Sequence, residues 1–174
     1  EDEIIRVEQD EFQTKCQAIF GYDYAHDKMK GLRDLFLHAK TLYLFRLNNN
    51  PEKAKCDIAK AKYGGVRGND ISVYVQADVD QEGKYIVTTY VTTDEVKKAV
   101  DKQTGLSTPA DLVDNEYVEF KKEGEFTPAV GTQLTGGTNG EIITASDYQR
   151  YIQYIEPYYF NVLGYAGADK TIKE

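Results

Sequence analysis

The sequence holds little of what most function classes require. Its 174 residues include two cysteines, two histidines and no tryptophan. Cys16 and Cys56 cannot build a disulfide framework, and so few thiols fit a reducing folding compartment. Cys16 shares an apolar helical stripe with Phe12 and Ile19, which predicts a small buried hydrophobe rather than a redox thiol. His26 and His38 fall short of a zinc site, which gathers about four nitrogen, sulfur or carboxylate ligands. No apolar run approaches the roughly 20 residues of a membrane-spanning helix. Glu1-Asp2-Glu3 has neither the basic nor the apolar region of a secretory signal, and the missing initiator Met leads to the expectation of a segment from a longer protein. Basic charge is also scarce. The 21 Lys and Arg against 29 Asp and Glu leave a net charge of −8, which repels phosphate backbones away from a local basic patch. The densest basic stretch, Lys53, Lys55, Lys60, Lys62 and Arg67, is diluted by carboxylates, so nucleic acid is not an expected partner.

What is present changes its hydrophobic period twice along the chain. Ile4-Ile5-Arg6-Val7 predicts a short strand. Phe12, Cys16, Ile19 and Phe20 recur at helical spacing, and Gly21 is placed to end that helix in a left-handed cap. A second helix is expected after Asp27 as N-cap, with Met29, Leu32, Leu35, Phe36 and Ala39 on one face. Leu42-Tyr43-Leu44-Phe45-Arg46-Leu47 is a nearly continuous apolar run, the pattern of a parallel strand covered on both faces. Asn48-Asn49-Asn50-Pro51 breaks it. From Ile71 to Val79 the alternation is that of a half-buried strand, followed by a turn at Gln81-Glu82-Gly83 and a second strand from Tyr85 to Thr92. Further strands are expected at Val96 to Val100, at Glu116 to Lys122 and around Gln133, with a short helical turn opening at Thr108-Pro109. The helical period returns after Thr144, which pairs with Asp147 as a capping box. Tyr148, Tyr151, Ile152 and Ile155 form its stripe, Pro157 stops it, Tyr159 to Tyr165 reads as another buried strand, and Asp169 could cap a further helix. The expected map is an α/β core in residues 1–50 and 141–174, interrupted by an antiparallel β-sandwich or barrel in residues 51–140.

Reaction chemistry is thin. Ser72, Ser107 and Ser146 lie in a strand, before a helix-start proline and in a capping region, and none sits in a Gly-x-Ser-x-Gly elbow. Gly64-Gly65-Val66-Arg67-Gly68 lacks the Lys-Ser/Thr of a phosphate-binding loop and leads into a strand. Its glycines, and Gly136, Gly137 and Gly140, read instead as structural turns, with positive φ expected at Gly64 or Gly68 and at one or more of the second set. No catalytic residue, cofactor or metal is expected. Fourteen tyrosines invite a binding reading, and Tyr154 and Tyr158 are candidate interface residues, Tyr154 lying off the helical stripe.

Two glycine-punctuated segments bracket the β-rich block: Lys62-Tyr63-Gly64-Gly65-Val66-Arg67-Gly68-Asn69-Asp70-Ile71 and Leu134-Thr135-Gly136-Gly137-Thr138-Asn139-Gly140. In this order and at this separation they resemble the tail sheath subunits of contractile phage tails and phage-tail-like (R-type) bacteriocins, over most of the chain from about Glu11. The resemblance implies a central fragment of a structural subunit whose α/β core is subtilisin-like in fold and carries no triad. It implies helical polymerisation around an inner tube, and contraction that drives the tube through a target envelope. The implied partners are other copies of the subunit, the inner tail tube protein and the baseplate. Synthesis would be in the bacterial cytoplasm, followed by release within a phage tail or tail-like particle. The terminal arms that link neighbours in that family are not recognisable here. Beside this reading stand a non-catalytic carbohydrate- or ligand-binding module and a hydrolase fragment whose catalytic residues lie elsewhere.

Overall fold

Strand β1 (Ile4–Glu8) runs directly into helix α1 (Gln9–Phe20), which Gly21 ends at φ 76° by donating its N–H to the Gln17 carbonyl. A 3-10 turn (Asp27–Met29) leads into α2 (Lys30–Phe36), and strand β2 (Thr41–Phe45) returns antiparallel to β1, pairing Ile4 with Phe45 through Glu8 with Thr41. The computed structural model describes residues 4–47 and 50–164. The chain divides into two units, Glu1–Asn49 with Glu141–Glu174, and Asn50–Gly140.

In the first unit, alternate residues of the β1–β2 ribbon face opposite ways. Ile5, Val7, Leu42 and Leu44 join Phe12, Cys16, Met29 and Phe36 in a small core under the two helices. The Phe12 ring meets Phe20, Tyr24 and Phe36 at 6.0, 5.4 and 4.5 Å, so one side chain organises this core. Tyr43 and Phe45 instead meet α3 (Ala145–Ile155) and the turn after it: Phe45 lies 5.8 Å from Tyr151 and 5.3 Å from Tyr154, and Tyr43 lies 5.2 Å from Tyr158. Asp147 anchors the start of α3 by accepting from the Thr144 N–H at 2.7 Å and its hydroxyl at 2.9 Å.

Several sequence expectations for this unit are corrected. The cap of the second helical segment is His26, whose Nδ1 accepts from the Lys28 N–H, because the helix begins as a 3-10 turn at Asp27. The run from Leu42 lies in the five-residue strand β2, which among the described residues pairs only antiparallel with β1, because the chain from β1 turns back through two helices; Arg46 falls beyond it and is exposed. Residues 159–164 form no strand and are exposed, where a buried strand was expected. Tyr165 and Asp169 lie outside the described residues.

The second unit is built from β3 (Ala59–Ala61), β4 (Ile71–Ala77), β5 (Tyr85–Thr93), β6 (Val96–Leu106), β7 (Val118–Phe120) and β8 (Ala129–Gln133). Antiparallel strands in the order β6-β5-β4-β8 form one sheet, and β3-β7 form a second. The larger sheet stays open, with β6 and β8 at its edges, so no barrel closes among the described residues. Val73, Val75, Val87 and Val91 from the large sheet share one core with Ala59, Ala61, Val118 and Phe120 from the small one. Burying apolar side chains at about 25 cal/mol per Å² is what holds two such sheets together.

β6 runs six residues past the expected Val100 end, to Leu106. It follows β5 through a two-residue turn, Asp94-Glu95, with φ of 48° and 66°. Turns of this kind favour Asn-Gly, which is why the hairpin is not visible in the residue types. On the other face of the sheet, the Lys97 ammonium sits 4.5 Å over Tyr74 and 5.5 Å over Tyr90, whose rings are 4.8 Å apart. Gly131 leaves room for this cluster, since a Cβ there would lie 2.6 Å from the Tyr74 hydroxyl.

Candidate functional site

The two glycine segments, about seventy residues apart along the chain, meet as one clasp at the base of the β unit. Glu52 and Thr138 exchange backbone hydrogen bonds at 3.2 and 3.1 Å, and Lys55 and Thr135 do so at 2.8 and 3.0 Å. The outgoing and returning strands are therefore zipped together where the unit opens. Gly65 donates its N–H to the Glu52 carbonyl at 3.0 Å and accepts from Gly68 at 3.1 Å, folding the first segment into the 3-10 turn Val66–Asp70.

Two asparagines lock the segments to each other. The Asn69 amide reads the Gly137 peptide from both sides, donating through Nδ2 to the carbonyl at 2.9 Å and accepting through Oδ1 from the N–H at 2.8 Å. Asn139 Oδ1 accepts from the Val66 N–H at 3.0 Å. Gln133 Nε2 donates to the Asn69 carbonyl at 2.7 Å. An amide side chain carries both donor and acceptor, so it can replace a strand partner where the sheet ladder stops.

The six glycines divide by physical role. Gly65, Gly136 and Gly140 have φ of 134°, 82° and 79°, and Gly64, Gly68 and Gly137 are not among the residues at positive φ. The first segment's left-handed residue is thus Gly65, correcting the expectation of Gly64 or Gly68. Gly68 and Gly137 serve close approach instead. A Cβ at Gly68 would lie 2.9 Å from that of Ala54, and one at Gly137 only 2.5 Å from the Gly65 carbonyl oxygen. The two segments touch backbone to backbone because neither has a side chain at the crossing.

The candidate interface tyrosines are already partly engaged. Tyr154 stacks on Phe45 and Tyr158 tilts against Tyr43, each leaving about four-tenths of its surface exposed, 39% and 41% respectively. Both lie in the first unit, away in sequence from the clasp.

Of the serines weighed for chemistry, Ser107 accepts from the Lys84 ammonium and Ser146 shares a hydrogen bond with Thr144, while Ser72 is buried in β4 opposite Tyr90. Burial pushes the Cys16 thiol up to about 11, with the Asp23 carboxylate adding to the rise against the Arg33 guanidinium, so it stays protonated and unreactive at neutral pH. Among the described residues no three His, Cys, Asp or Glu converge as metal ligands, and no helix is long and apolar enough to cross a membrane.

Asn69, Asn139, Glu52 and Lys55 were not singled out in the sequence as functional positions. The signal for the asparagines lay inside the glycine segments, in Gly68-Asn69-Asp70 and Thr138-Asn139-Gly140, where a donor–acceptor side chain stands next to a glycine.

Known proteins share both the sequence and the geometry. The family profile described as phage tail sheath protein beta-sandwich domain matches residues 49–139. The uncharacterized protein YqbK of Bacillus subtilis (strain 168) is 34% identical, over 76% of this chain and 32% of its own length. The phage-like element PBSX protein XkdK of the same organism is 30% identical, with the same coverage of 76% and 32%. The chain thus spans about a third of the length of the curated relatives it matches. The crystal structure of a sheath tail protein from Desulfitobacterium hafniense superposes with a TM-score of 0.80 at 31% identity, covering 99% of this chain and 40% of that one. A sheath tail protein from Listeria innocua gives a TM-score of 0.76 at 32% identity, covering 99% and 39%.

Proposed function

This chain belongs to the phage tail sheath family, and we propose from that membership that it is the central part of a subunit polymerising helically around an inner tail tube. Contraction of the polymer would drive the tube through a target envelope, with further copies of the subunit, the tube protein and the baseplate as partners. The subunit would be made in the bacterial cytoplasm and leave within a phage tail or R-type bacteriocin particle. We further propose that residues 1–50 and 141–174 belong to a subtilisin-like α/β core, and that residues 51–140 are a β-domain inserted into it.

One observation carries the reading: 99% of the chain superposes on a solved sheath tail protein with a TM-score of 0.80 at 31% identity. The clasp gives that likeness a physical meaning. Its glycines and asparagines hold outgoing and returning chain together, which is what an inserted domain needs if it is to ride on a moving lattice without opening. No catalytic step enters the proposal, and a structural subunit does its work through contacts.

Electron microscopy of the full-length subunit and of this chain, side by side, tests the assembly. Hollow helical tubes are expected from the full-length protein, and soluble monomers from this chain, whose charge of −8 adds repulsion between copies. Full-length protein that stays monomeric and melts higher with an added oligosaccharide would favour the binding-module reading instead.

A further inference from the structure

Asn139-Gly140 is the single Asn-Gly step in the sequence, and it falls inside the clasp. Such a step is the one most open to spontaneous loss of the asparagine amide. Glycine has no Cβ to shield its nitrogen, and its backbone reaches conformations that bring this nitrogen against the preceding side-chain carbonyl. Both residues are solvent-exposed here, and Gly140 holds a φ of 79°. Two other asparagines of the β unit are tied more fully. Asn69 uses both ends of its amide on Gly137 and precedes Asp70. Asn115 donates to Thr89 and Asp101, accepts from the Tyr117 and Val118 N–H groups, and precedes Glu116. Asn139 is held to the first glycine segment through Oδ1, which accepts from the Val66 N–H 73 positions away.

We propose that Asn139 is a deamidation site which the closed clasp keeps dormant, and that opening of the clasp exposes it to a one-way modification. The Gly140 peptide nitrogen gives its proton to water and attacks Asn139 Cγ. A Cγ–N bond forms, the Cγ–Nδ2 bond breaks, and Nδ2 leaves with a proton from water as ammonia, closing a succinimide. Water then opens the ring. Addition at Cγ gives aspartate, and addition at the main-chain carbonyl gives isoaspartate, in which the chain runs through Cγ. The net change is water consumed and ammonia released, with no oxidant or cofactor. Ring closure requires the side chain to fold back over its own peptide, whereas the bond from Val66 holds its carbonyl on the first segment. Thr138, the preceding residue, is fixed by its two backbone bonds to Glu52, which restrains the same stretch of chain. Either product adds a negative charge to a chain already at −8. Isoaspartate also inserts a methylene into the backbone beside the Thr138 and Glu52 pair, so the clasp recloses without the Val66 bond in register. The inference depends on the clasp alone and holds or fails independently of the sheath reading.

Ageing this chain at mildly alkaline pH, followed by peptide mapping with mass spectrometry, provides the test. The peptide holding Asn139 is expected to show the amide-to-acid mass change on the order of 10-fold or more faster in urea than in the native chain. Val66→Pro removes the donating N–H at the first position of the 3-10 turn, where proline fits and the preceding Gly65 is extended at ψ 159°. This variant is expected to deamidate about 3–10-fold faster in the native state, the factor that one such hydrogen bond contributes. Its Tm checks that the unit still folds; if it does not, the comparison of native with urea-treated wild type still decides. Chain carrying isoaspartate is expected to refold and melt about 2–4 °C below the unmodified chain. Equal rates in native and unfolded wild type would show that the clasp gives no protection, and an amide intact in urea would remove the site. A folded Val66→Pro that ages no faster than wild type would remove the hydrogen bond as the lock. Each of these results overturns the inference, as does an unchanged melt of the isoaspartate form.

Discussion

The β unit and the helical unit solve the problem of closure in different ways. The β unit closes on itself: two sheets share one valine-rich core, and the clasp joins its outgoing and returning strands through backbone pairs and two asparagine amides. Among the described residues the helical unit has a smaller core centred on Phe12, a two-stranded ribbon with open edges, and a run of exposed apolar side chains after Pro157. A unit whose border carries paired donors and acceptors needs no other part of the chain to close it, whereas a ribbon with an unpaired edge leaves backbone groups to solvent.

Removing the Phe12 ring tests this contrast most harshly. Phe12→Ala is expected to cost about 3–5 kcal/mol, by lost burial and the cavity left among Phe20, Tyr24 and Phe36. If the units close independently, limited proteolysis of the variant should leave a resistant fragment near residues 50–140. Cleavage throughout both units would show that the β unit leans on the helical one.

A second comparison lies within the clasp. Gly137→Ala pushes a Cβ against the Gly65 carbonyl and is expected to destabilise the β unit by roughly 1–3 kcal/mol. Gly136→Ala meets open space and pays only for its φ of 82°, about 1 kcal/mol. Denaturant melts that rank the two in the opposite order would remove the close-approach argument. Asn69→Asp belongs to the same series: it loses the donor to the Gly137 carbonyl and sets a carboxylate against it, so a Tm below wild type is expected at neutral pH.

The two thiols report on the two units separately. Cys16 is fully buried in the helical unit and Cys56 half-buried in the β unit. A short pulse of iodoacetamide at neutral pH is expected to modify Cys56 first, with Cys16 reacting only as its unit opens. The Cys16 thiol is raised in the folded state to about 11, so its contribution to stability is complete below its unfolded value near 9 and is lost as the pH climbs toward 11. The stability of the helical unit should therefore fall in that window, and Cys16→Ala should flatten the loss. Equal labelling of both thiols in the native protein would contradict the packing described for α1.

The smallest effect concerns the start of α3. Hydrogen bonds from the Thr144 N–H and hydroxyl hold the Asp147 carboxyl below its ordinary range. The stabilisation is present above the usual carboxylate pKa of about 3.9 and disappears as the pH falls through the lowered value. Asp147→Asn should remove this acid dependence and shift the Tm by about a degree or two at neutral pH, since the box touches only the first turn of one helix. An unchanged acid limb in the variant would mean that the box contributes nothing.

Period and punctuation in the sequence sufficed for the elements that depend on neighbours along the chain. The stripe Phe12, Cys16, Ile19 and Phe20 with Gly21 behind it, the alternation from Ile71, the turn at Gly83 and the box Thr144 with Asp147 are each local, and local sterics and hydrogen bonding decide them. The glycine segments were likewise legible as turns, and through them the sheath family was recognisable. Contacts between residues far apart were decided by the tertiary structure alone. That Gly137 must lack a side chain follows from where the Gly65 carbonyl comes to rest, and no local pattern encodes that. The asparagines became a lock only when residues 69 and 137 were brought together, because an amide's partner is set by position in space. The run from Tyr159 shows the opposite limit: its residue types favour a buried strand, but a strand needs an edge and a cover, and among the described residues it is exposed and unpaired in any sheet.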